Sequence, residues 1–103
     1  MNHNFYPFVI KSILAERELL EQLAEEGAEL SKAALKKIRA NEYSANYTPT
    51  TPEQANADLW EEALDVLSIL YLLDMLPPKD EVRKYWKFKR WAERLVTRGN
   101  KDE

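Results

Sequence analysis

Two acidic groups carry the chemistry legible in this chain: Glu25-Glu26-Gly27-Ala28-Glu29 and Glu61-Glu62-Ala63-Leu64-Asp65. Each lies in a segment whose apolar residues recur at helical spacing, so each turns its carboxylates to one side of a helix. Glu26 and Glu29 lie about 60° apart on the first helix, and Glu62 and Asp65 repeat that relation on the second. Packed side by side, two such helices direct four or five carboxylates at one another. Like charges a few ångströms apart repel in a partly desolvated setting, and a hard divalent cation removes the repulsion. Oxygen-only donors suit magnesium, which is held by a few carboxylates together with the phosphates of a substrate. Zinc and copper sites draw on His or Cys; this chain has no cysteine and one histidine, His3, outside any motif. A di-iron bundle, which needs Glu-x-x-His on two helices, is excluded by the same shortage.

The elements that position these groups follow from periodicity. Residues 1–7 form a lead-in ending at Tyr6-Pro7, and helix can begin near Phe8. Whether 8–14 continues the next helix or packs as a separate turn is open. From 12 to 41 the chain has no proline, and Leu19, Leu20, Leu23, Ala24, Gly27, Leu30, Ala34 and Ile38 make one apolar stripe. Gly27 costs roughly 1 kcal/mol relative to alanine in mid-helix, so its expected use is close approach of a neighbouring helix. Residues 41–51 lose the pattern and form a long loop, whose Tyr43 and Tyr47 serve as lid or surface. Thr51-Pro52-Glu53-Gln54 then reads as a capping box with proline at the first helical position. The second helix is expected over 52–76, stopped by Pro77-Pro78. The last runs from residue 80 or 81 to 98, with Gly99 as its stop. Trp60, Trp86 and Trp91 are expected in the core, and Arg83, Arg90 and Arg94 on a solvated face.

These elements predict an all-α fold, a small helical bundle of two long antiparallel helices plus a C-terminal helix. The second helix is apolar nearly all round, with a polar strip of Asp58, Glu61, Glu62, Asp65 and Ser68, and three helices from 103 residues can hardly cover it. The bundle is therefore expected to be completed by oligomerisation, as a homo-oligomer (dimer or tetramer). Length allows one domain, 1–103, and no second catalytic unit. A net charge of −3 with both signs scattered excludes an electrostatic footprint for polymeric nucleic acid. The longest apolar run, 66–75, is interrupted by Ser68 and Asp74 and falls short of the roughly 20 residues of a membrane span. It has to be buried in protein. With no cysteine and no basic-then-apolar start, a cytoplasmic location is the expectation.

Glu-Glu-x-x-Glu followed on the next helix by Glu-x-x-Asp resembles the signature of the MazG-like nucleotide pyrophosphohydrolases, the all-α NTP pyrophosphatase superfamily. The ending Arg90-Trp91-Ala92-Glu93-Arg94-Leu95 is similar to its short, phage-type members. The resemblance touches all three expected helices and implies one MazG-like domain over 1–103. It also implies magnesium-dependent hydrolysis of a nucleoside or deoxynucleoside triphosphate to the monophosphate and pyrophosphate, with Mn²⁺ as a substitute metal. Carried over residue by residue, Glu26, Glu29, Glu62 and Asp65 are the metal ligands, and Glu25 is an outer ligand or orients the attacking water. The 32 residues between Glu29 and Glu62 exceed the usual gap of the family, and no base-recognition residue is carried over. Lys32 and Lys36, beyond the first acidic motif, are candidates for holding the phosphates, although basic residues there also suit the helix dipole. The rival reading is a non-catalytic helical interaction or nucleotide-sensing module. Whether the acidic residues of the two helices converge discriminates the interaction module from the enzyme.

Overall fold

Four helices account for most of the described residues: α1 (Phe5–Ile13), α2 (Glu16–Ala40), α3 (Pro52–Leu72) and α4 (Trp86–Lys101). The computed structural model describes residues 5–41, 50–76 and 86–101, and no strand occurs among them. The expected all-α bundle is what forms, built on α2 against α3. These two run antiparallel: Lys37, near the end of α2, donates to Asn56 Oδ1 near the start of α3 at 2.7 Å, while Glu26 further back meets Glu62 further on. No helix of the described residues is long and apolar enough to cross a membrane.

The buried side of each long helix follows a seven-residue repeat. On α2 a line of buried or half-buried positions steps by four and three through Leu19, Leu23, Glu26, Leu30, Ala33, Lys37 and Ala40, with Gly27 and Arg39 half-buried beside it. On α3 the same rhythm runs through Ala55, Leu59, Glu62, Val66 and Ile69 to the cap residue Leu73, with Asp58, Ala63, Leu70 and Leu72 half-buried beside it. Alternating steps of four and three are the seam of a helix pair packed at a shallow angle. In the antiparallel register that joins Glu26 to Glu62, Leu19 stands level with Ile69 and Ala33 with Ala55. The seam is therefore rotated from the expected stripe: Ala24, Ala34 and Ile38 are exposed, and Ala33 and Ala40 are buried instead.

Helix ends differ from the sequence expectation at several points. The chain breaks at Leu14–Ala15, where Ala15 is extended (φ −74, ψ 160) and its N–H donates to Glu18 Oε1 at 3.1 Å. The stretch 5–13 is thus a separate helix, beginning before Phe8 because Pro7 sits in the first turn, where no N–H partner is needed. Lys11 of α1 pairs with Asp74 beyond α3 at 3.2 Å. At the start of α3 the Thr51 hydroxyl accepts from the Gln54 N–H at 3.0 Å, with Pro52 next, as expected. The Gln54 side chain does not reach back to complete the box; it donates to Asp58 Oδ1 at 2.8 Å. α3 stops at Leu72 rather than 76. Asp74 adopts φ 57, and Met75 N–H donates to the Leu70 carbonyl at 2.9 Å and Asp74 N–H to that of Tyr71 at 3.0 Å. That is a Schellman ending with aspartate in place of glycine. Gly99 stops nothing, since α4 continues through it to Lys101.

Much of the apolar surface lies open. Among the described residues five apolar side chains are buried, and eighteen large ones are exposed. Trp60 (62% exposed) and Trp91 (59%) are two of them, against the expectation that both are core. The Trp86 side chain, Tyr43, Tyr47 and Arg83 lie outside the described residues, as does most of the loop 41–51; Arg90 and Arg94 are exposed as expected. The chain presents 8806 Å² to solvent, where a closed monomer of this mass presents about 6,000 Å². Its radius of gyration is 18.1 Å, against about 13 Å for a compact domain of this length.

Candidate metal centre

Geometry brings together three of the expected ligands. One carboxylate oxygen each from Glu26, Glu62 and Asp65 lies within 4.8 Å of the other two. Glu26 and Glu62 occupy the α2–α3 seam itself, in positions that the layers on either side fill with Leu19 and Ile69, or Ala33 and Ala55. Asp65 sits nearly one turn along α3 from Glu62, about 60° around the helix, and is exposed. Acidic groups of the two helices do converge, in a cluster that could hold a metal ion.

Glu62 is the strained member. Its Oε2 is buried with no hydrogen-bond partner. Its carboxyl is held above the ordinary value of 4.5, first by desolvation and then by Glu26, through both charge and hydrogen bonding, with Asp65 and Glu29 adding to the effect. All the named side chains acting on it are acidic. A cation in the seam would offset the repulsion among these carboxylates and favour the charged form of Glu62, and the donor set, oxygen throughout, fits a hard divalent ion such as magnesium. The residues present therefore fit the group that the sequence motifs imply.

The other candidates stand at the margin. Glu29 is close enough to act on Glu62 but lies outside the converging three, and its Oε1 accepts from Lys32 Nζ at 3.4 Å. Glu25 and Glu61 are exposed, each turned about 100° from its seam neighbour. Lys36 is exposed one turn beyond Lys32. Gly27 does not admit a close neighbour: a Cβ built there meets nothing within 4 Å. The periodicity leaves Glu26 off the apolar stripe of the first helix and sets Glu62 in the polar strip of the second. The signal that places them inside the core is the spacing of seven linking 19, 26, 33 and 40, and 55, 62 and 69. Compared with known proteins, the chain matches no family model, no curated protein and no solved structure.

Proposed function

We propose that the chain is a magnesium-dependent hydrolase of nucleoside or deoxynucleoside triphosphates, releasing the monophosphate and pyrophosphate, and that it acts as a homo-oligomer. The observation that carries the reading is the pair Glu26 and Glu62, facing each other in an apolar seam with Asp65 beside them and one Glu62 oxygen unpartnered. Two acids opposed in a helix seam weaken the metal-free fold. They are accounted for by a bound cation, and the motif resemblance supplies the substrate class.

Glu26, Glu62 and Asp65 would hold the ion. Bound there, magnesium, or Mn²⁺ in its place, supplies charge screening for the triphosphate and a more acidic coordinated water. Glu29, near enough to act on Glu62, would accept a proton from the attacking water. Lys32, now on Glu29, can turn to the pyrophosphate as the bond from the α-phosphorus to the bridging oxygen breaks, and Lys36 extends that positive edge. Glu25, exposed outside the converging set, serves at most to order solvent around it.

The test is pyrophosphate release from a panel of NTPs and dNTPs with magnesium, beside Glu26→Gln, Asp65→Ala and Glu29→Ala. Turnover is expected in the parent only with metal, and Glu26→Gln and Asp65→Ala lower it by about 100-fold or more. Metal uptake in calorimetry without release of pyrophosphate from any nucleotide would select the sensing module instead. Absence of both would leave only the interaction module.

A further inference from the structure

We draw no further inference here: the strongest candidate, the apolar groove of about 390 Å³ between α1 and α3 walled by Tyr6, Ile10, Leu64, Leu67 and Tyr71, is an open apolar face, and nothing in the structure shows what covers it.

Discussion

At the scale of single residues, Glu62 governs what can be measured without any substrate. A carboxyl whose folded pKa lies above its unfolded value binds its proton better in the folded state. Stability of the metal-free protein should therefore fall as pH rises from 4.5 through the raised pKa, and recover as pH falls through the same window. Glu62→Gln is expected to flatten that slope and to raise the metal-free denaturation midpoint at neutral pH while removing metal uptake. A midpoint lowered by the substitution, with uptake retained, would show that the charge stabilises the seam. Replacing both seam acids, Glu26→Leu/Glu62→Leu, extends the point: completing the heptad with apolar side chains should give a more stable, inactive protein. Urea titration at pH 7 checks this. The carboxylates were recognisable as a set from their types and spacing. Their separation into two seam residues, one flanking carboxylate and several marginal acids was not, because the facing angle of each depends on which side of α2 meets α3.

At the scale of elements, the ends of the helices hold the testable energetics. Thr51 caps α3 through a 3.0 Å hydrogen bond from Gln54 N–H, and Thr51→Ala is expected to cost about 1 kcal/mol in chemical denaturation. Gly27 has space for a methyl group in mid-helix. Gly27→Ala should therefore stabilise the protein by roughly 0.5–1 kcal/mol, read as a raised melting temperature. If the alanine instead lowers stability, a neighbour outside the chain approaches that backbone. The Thr51-Pro52 start of α3 was legible because capping is a local matter of one hydroxyl and one proline. The break before α2 and the early stop of α3 were not. Ile13-Leu14-Ala15 contains neither glycine nor proline, and the turn there lays α1 beside α3, with Lys11 reaching Asp74. Likewise Asp74 takes the left-handed conformation usually left to glycine, inside a run whose apolar character continues to Leu76.

At the scale of the whole molecule, eighteen large apolar residues facing solvent are more than a solitary chain of 103 residues is expected to leave open. Folding and association should be linked, so the melting temperature is expected to rise with protein concentration across a micromolar range. Scanning calorimetry at two concentrations tests this, and a concentration-independent transition would separate folding from assembly. The sequence alone determined that the chain is all-α, that two long helices carry paired acids, and that α3 is apolar around most of its circumference. Those properties follow from period, composition and capping, each of which acts within a few residues. Only the tertiary structure decided which carboxylates meet, that Trp60 and Trp91 lie outside, and that the seam runs through Glu26 and Glu62. Each of these depends on the rotation of one helix against another, fixed by packing between residues far apart in the chain.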